Sequence, residues 1–366
     1  MASTIGFIRE YLAPRPAAIE VRDLTYRRGE ETLPARLFRR ADSGRRRRPA
    51  WILLHGLTYH GRTHPSLDRF ARALAASGAV VIVPEIPEWS RLRVAPDATG
   101  PSIAGALDAL RSDPAVDTDR IGVIGFSFGA TQALAALADP RLGDGIRALV
   151  AWGGYCDLHR LFHFGVTGEH ELDGVRDRVA PDPYGAWVMG ANYVTGIPGL
   201  GDYSELAAAL HELAQASGRA GVYAGDSHYE PLKARLREGL PPAQREIFRI
   251  FAPLPTDPPL DHGFVAEMAR ELADAALRAD PLLDPRPLIP ELRVRTAIAH
   301  GREDTLVPYT ESLRLSRVLP ADTRAGCTIT SLFAHSTGAS RALDALTRAR
   351  ETARFCYMLD RILHLI

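Results

Sequence analysis

Ser127 stands at the centre of Gly125-Phe126-Ser127-Phe128-Gly129, between an apolar strand-forming run that starts at Ile121 and a helix-forming run over 130–138. A Gly-x-Ser-x-Gly pentapeptide with a strand before it and a helix after it makes a sharp turn with the serine at its tip. The serine is then held in a strained backbone conformation, and a side chain at either glycine would collide with the neighbouring strand or helix. Its hydroxyl projects above the sheet edge, and the helix N-terminus beneath offers N–H groups and a positive dipole end to an oxyanion. A neutral serine is a poor nucleophile. The chemistry calls for a base that takes its proton during attack and returns it to the leaving group, and for an acid that orients that base. Two later residues have the right types: Asp304 in His300-Gly301-Arg302-Glu303-Asp304-Thr305-Leu306-Val307-Pro308, and His335 in Ala334-His335-Ser336. Each also has a plainer reading, Asp304 as the cap of a helix starting near Leu306 and His335 as a satisfied polar residue at a helix start. Their order, with each at the end of an apolar run, favours the catalytic reading.

Those runs predict the elements that must position the three side chains. Residues 19–27 and 33–39 alternate in polarity and read as an antiparallel lead-in to a sheet, joined by a turn at 28–31. Strands are expected over 50–54, 79–84, 121–126 and 146–152, separated by helices over 65–77, 101–111 and 130–138. Strand and helix alternating at this spacing predict a mostly parallel sheet with helices on both faces, an α/β class. From 155 to 291 the alternation stops. The clearest helical windows there are 204–217, 231–238, 243–251 and 264–279, and the segment is too long for a loop. It reads as a helical cap inserted in the core, because the pattern resumes with a strand over 294–299, a helix over 309–319, a strand over 327–333 and a helix from 339 to 366. The closing helix is expected to bury Leu343, Leu346, Ala353, Tyr357 and Ile362. The organisation expected is therefore core 1–154, cap 155–291 and core 292–366.

At 366 residues the chain can bury a large interior. Its formal net charge of zero argues against nucleic acid or an anionic membrane surface as the main partner. Lys233 is the only lysine, so nearly all positive charge is arginine, a compositional bias and not chemistry; the run Arg45 to Arg48 reads as a solvated loop. Cys156, Cys327 and Cys356 are scattered without disulfide or metal spacing, which fits a reducing compartment. The first fourteen residues have no signal-peptide core, and no apolar stretch approaches the roughly 20 residues needed to span a bilayer. A cytoplasmic protein with no membrane partner is expected. His159, His163, His170, His211, His228 and His262 lie in the cap segment at spacings that do not match a zinc site, so no metal is expected.

Four features together resemble the α/β-hydrolase superfamily: the 125–129 elbow, the upstream His55-Gly56, the 300–308 stretch and the Ala334-His335 turn. The layout is most similar to its esterase and dienelactone-hydrolase-like branches, over about 19–154 and 292–366 but not the cap. A Gly-rich continuation after His55-Gly56, which marks the hormone-sensitive-lipase-like branch, is missing. The resemblance implies that Ser127 is the nucleophile, His335 the general base and acid, and Asp304 the orienting acid. Glu303 and Asp157 compete for the acid role, Asp157 because some relatives use the loop after the preceding strand. The oxyanion hole is implied to use the backbone N–H of Phe128 and of Leu57, with the Tyr59 hydroxyl as a further donor, while His55 reads as structural.

The function expected is a serine hydrolase of a carboxylic ester or related acyl bond in a small molecule, working through an acyl-enzyme without cofactor or metal. A peptidase, thioesterase, acyltransferase or carbon–carbon hydrolase would use the same triad, since bond choice rests with the pocket. A binding protein that kept the fold and lost activity is the alternative of another class. Phe162, Phe164, Trp187, Tyr193 and Phe264 are candidates to line an acyl pocket, though most are expected to be ordinary core. The residues set no oligomeric state.

Overall fold

The computed structural model describes residues 3–14, 18–41, 46–332 and 344–366. Helix α1 (Thr4–Leu12) precedes an antiparallel pair, β1 (Ile19–Arg28) and β2 (Glu31–Arg40). Next come β3 (Arg48–Leu54), α2 (Pro65–Ala76), β4 (Val80–Pro84), a one-turn helix α3 (Pro87–Ser90) and α4 (Thr99–Arg111). β5 (Val116–Phe126), α5 (Phe128–Leu137), the short α6 (Pro140–Gly143) and β6 (Ala148–Trp152) complete the first run. Beyond β6 lie α7 (Leu158–Thr167), a hairpin of β7 (Glu169–Leu172) and β8 (Val175–Arg178), and five helices: α8 (Pro183–Tyr193), α9 (Ser204–Ala220), α10 (Glu230–Gly239), α11 (Pro242–Phe251) and α12 (His262–Ala279). The chain then returns to the main sheet with β9 (Arg295–Gly301), α13 (Tyr309–Val318), β10 (Arg324–Thr330) and α14 (Ala345–Leu363).

The eight main strands lie in the order β1-β2-β4-β3-β5-β6-β9-β10, antiparallel through β1, β2 and β4 and parallel from β4 onward. β3 shows why this sheet is covered twice. Ala50, Ile52 and Leu54 point into one core with α4 and α5, and Trp51 and Leu53 point into the other with α2 and α14. A strand buried on both faces reads as an unbroken apolar run, as 50–54 and 80–83 do. The first core continues without a break into α8, α9, α11 and α12 through Trp187, Leu210, Phe248 and Leu272, so the helices after β6 share their interior with the sheet. Among the described residues, no helix is long and apolar enough to cross a membrane.

The structure corrects several expectations. Residues 169–178 form a hairpin whose turn, Asp173-Gly174, has positive φ at both positions (56° and 79°), as a tight two-residue turn requires. β10 starts at Arg324 and ends at Thr330, earlier than the 327–333 expected, because a register shift between Arg324 and Gly326 (φ 127°) lets it pair with β9 from Thr296 onward. In α14 the buried apolar residues are Met358, Leu359, Ile362 and Leu363, not Leu346, Ala353 and Tyr357, which are exposed. Two aliphatic pairs four residues apart carry more apolar area than the Ala353/Tyr357 face, and they set which side docks. Leu343 lies outside the described residues.

Candidate active site

Ser127 follows the last residue of β5 and caps α5, with φ 54° and ψ −125°, one of three non-glycine residues among those described with positive φ. Its N–H donates to the Trp152 carbonyl at 2.8 Å, which locks the turn to the end of β6. The two flanking glycines are there because the backbone closes on itself. A Cβ on Gly125 would lie 2.3 Å from the Gly129 carbonyl oxygen, and one on Gly129 would lie 2.5 Å from the His55 carbonyl oxygen. Gly129→Ala is therefore expected to lower stability by about 1–3 kcal/mol, despite the better helix propensity of alanine, and a thermal melt checks it. Phe128 is the first residue of α5, a position whose N–H has no acceptor within the helix.

The loop after β3 comes up against the serine: a Cβ on Gly56 would meet Ser127 Cβ at 3.2 Å and Oγ at 3.6 Å. His55 is buried and holds this loop from below. Its Nε2 accepts from the Ile86 N–H at 3.2 Å, so Nδ1 carries the proton and donates to the Gly56 carbonyl at 2.8 Å. Burial lowers its pKa and keeps the ring neutral. On the other side the Tyr184 hydroxyl donates to the Leu57 carbonyl at 3.1 Å. Tyr184 sits in the first turn of α8, which starts with Asp182 as N-cap (Oδ1 to Tyr184 N, 3.1 Å) and Pro183 behind it. The Asp182 N–H in turn donates to the Thr305 carbonyl at 2.8 Å, so α8 is tied both to the loop after β3 and to the loop after β9.

That second loop carries Asp304, 3% exposed. Oδ1 accepts from the N–H groups of Leu306 and Val307 at 2.9 and 3.0 Å, and Oδ2 lies 3.3 Å from His300 Nε2. His300 is fully buried at the end of β9. Its Nε2–H donates to the Val307 carbonyl at 2.9 Å, and Nδ1 lies 2.6 Å from Ser312 Oγ. The carboxylate thus caps its own loop and not a helix, since the next helix starts only at Tyr309 with Pro308 before it, and the same bonds fix its direction. Glu303 is half-buried beside it. Asp157 is otherwise engaged, accepting from Arg286 Nη1 at 2.6 Å and from the Arg160 N–H at 3.3 Å as N-cap of α7. Burial pushes the nearby Cys156 thiol up to about 12, which leaves it protonated and unsuited to attack. His335 lies outside the described residues.

Ser127, Leu57 and Phe128 line a cavity of about 110 Å³, together with residues of α7 and α8, Tyr155, Leu283, Leu306 and Val307. Of the aromatic candidates, Phe162 and Tyr193 line it. Phe164 and Trp187 are fully buried in the helical layer and Phe264 is exposed. Tyr59 is not among the lining residues. It is 38% exposed, with its Cβ against Gly218 and its ring 5.9 Å from the Arg219 guanidinium carbon.

No family model matches the sequence, and no curated protein does. Solved structures do. The uncomplexed and orthorhombic structures of the acylaminoacyl peptidase of Pyrococcus horikoshii align with TM-scores of 0.50 and 0.51, at 14% and 13% identity. The alignments take in 94% and 98% of this chain but 42% and 43% of the peptidase, so the chain spans less than half the length of that relative. The 2,6-dihydroxy-pseudo-oxynicotine hydrolase aligns at TM-score 0.47 and 17% identity, over 98% of this chain and 72% of the other. The chain has the α/β-hydrolase fold.

Two residues that shape this candidate site were not singled out from the sequence. Tyr184 acts across 127 positions on a carbonyl, and only the Asp-Pro helix start before it hints that its place is fixed. His300 was visible as part of the 300–308 stretch, but its grip on Asp304 depends on the loop folding back over it.

Proposed function

We propose that this chain is a serine hydrolase that cleaves a carboxylic ester, or a related acyl bond in a small molecule, through an acyl-enzyme on Ser127. The observation that carries the reading is the strained serine at the junction of β5 and α5, facing the Gly56-Leu57 loop and opening on an apolar cavity. In this reading the Ser127 hydroxyl attacks the carbonyl carbon, His335 takes its proton and passes it to the leaving alcohol, and Asp304 keeps the imidazole in the productive tautomer. The N–H groups of Leu57 and Phe128 receive the developing oxyanion. Water then attacks the acyl-enzyme, aided by the same imidazole, and frees the serine. The scheme asks for no metal or cofactor. With it goes a division into core (1–154 and 292–366) and cap (155–291), in which α7 and α8 form the roof of the cavity.

Labelling with a fluorophosphonate probe, followed by peptide mapping, tests the reading: the adduct is expected on Ser127, and an unlabelled Ser127 in folded protein ends it. Tyr184→Phe tests the roof. It leaves the Leu57 carbonyl without its donor, and roughly 1–1.5 kcal/mol of alignment is lost. That is expected to lower kcat about tenfold with KM little changed.

A further inference from the structure

We infer that the acyl group taken by this site is short, uncharged and apolar, with roughly two to five carbons. The inference rests on the proposed Ser127 acyl-enzyme. Size comes first. The cavity at Ser127 is about 110 Å³, smaller than the roughly 150 Å³ apolar cavity that holds one benzene. Its walls are fixed by packed side chains, with Leu161 and Phe162 on α7 and Val188 and Met189 on α8.

Chemistry comes second. Among the described residues lining the cavity none is charged, and its three tyrosine hydroxyls are committed elsewhere. Tyr155 donates to the Leu283 carbonyl at 2.8 Å, Tyr184 to the Leu57 carbonyl at 3.1 Å and Tyr193 to Asp280 Oδ2 at 2.7 Å. A carboxylate, phosphate or ammonium on the acyl chain would lose its water and gain no partner. The group that occupies the cavity is the acyl half, because it stays bonded to Ser127 while the alcohol leaves. Ser127 Oγ bonds the carbonyl carbon as the carbon–oxygen bond to the alcohol breaks, with the serine proton leaving on the alcohol. Water then cleaves the new ester, returning a proton to Ser127 and releasing the acid.

A series of p-nitrophenyl esters on the full-length protein reads the length. From acetyl to butanoyl, kcat/KM is expected to rise about fourfold per methylene. From butanoyl to octanoyl it is expected to fall at least tenfold, as surplus methylenes no longer fit. In a pH-stat assay, monomethyl succinate is expected to be at least a hundredfold poorer than methyl butanoate. Met189→Ala is expected to move the optimum toward longer chains. Leu161→Ala, at a half-buried position, makes the same test should the first variant not fold. Turnover of the octanoyl ester equal to the butanoyl, or of the succinate monoester equal to the butanoate, overturns the inference. So does Ser127 labelling by a fluorophosphonate with no turnover of any ester in the series. If Ser127 neither labels nor turns over esters, it is the underlying serine-hydrolase reading that has failed.

Discussion

Ser127→Ala is expected to lower ester turnover by a factor on the order of 10⁴ to 10⁶, the scale seen when a nucleophile is removed from an intact triad. The change leaves the surroundings in place. Alanine keeps the N–H that bonds the Trp152 carbonyl, and it bears the same Cβ at the same positive φ, so the thermal midpoint should barely move. Ser127→Gly sharpens the comparison. A non-glycine residue held in such a sparsely populated conformation costs about 1–3 kcal/mol, and glycine relieves part of it. The glycine variant should therefore be as inactive as the alanine variant and yet melt higher. Rates on a short-chain ester together with melting curves for the three proteins check both halves. An alanine variant that keeps more than about a hundredth of the turnover removes Ser127 from the chemistry.

Asp304→Asn is expected to lower kcat about 10⁴-fold, because an amide stabilises the wrong imidazole tautomer and cannot balance its charge. Here a stability change accompanies the rate change. If the amide oxygen keeps accepting from the Leu306 and Val307 N–H groups, the NH₂ faces His300 Nε2–H, which already donates to the Val307 carbonyl. Two donors then meet in a buried place, at a cost of about 1–3 kcal/mol. Asp157→Asn is the control. Its carboxylate belongs to Arg286 and to the first turn of α7, so the loss should be small and confined to stability. Should the Asp157 variant lose activity while the Asp304 variant keeps it, the acid assignment passes to the loop after β6.

The sheet and the turn at Ser127 were legible because both depend on local composition. Strands buried on both faces read as unbroken apolar runs, and the pentapeptide 125–129 is dictated by how close Gly129 comes to His55. The hairpin at 169–178 was not, since its strands carry charge where alternation would signal a strand. It is held instead by pairs reaching from other elements: Arg317 to Asp173 at 2.6 Å, Arg314 to Glu171 at 3.0 Å and Arg160 to Glu171 at 3.4 Å. The Asp173-Gly174 turn was the one local sign of it. The residues of the candidate site divided the same way. Ser127 announces itself by its neighbours, and Asp304 by the stretch around it. Tyr184 and His300 take their roles from contacts that exist only once the chain has folded back, and Tyr59, on the expected loop, faces α9 instead.

The Tyr184 hydroxyl has a consequence for timing. It belongs to the helix that roofs the cavity, and its acceptor belongs to the loop beside the serine, so lifting the roof and loosening that loop are one event. In the proposed reading, the seat of α8 and the alignment of the Leu57 loop beside Ser127 are therefore set together by one hydrogen bond.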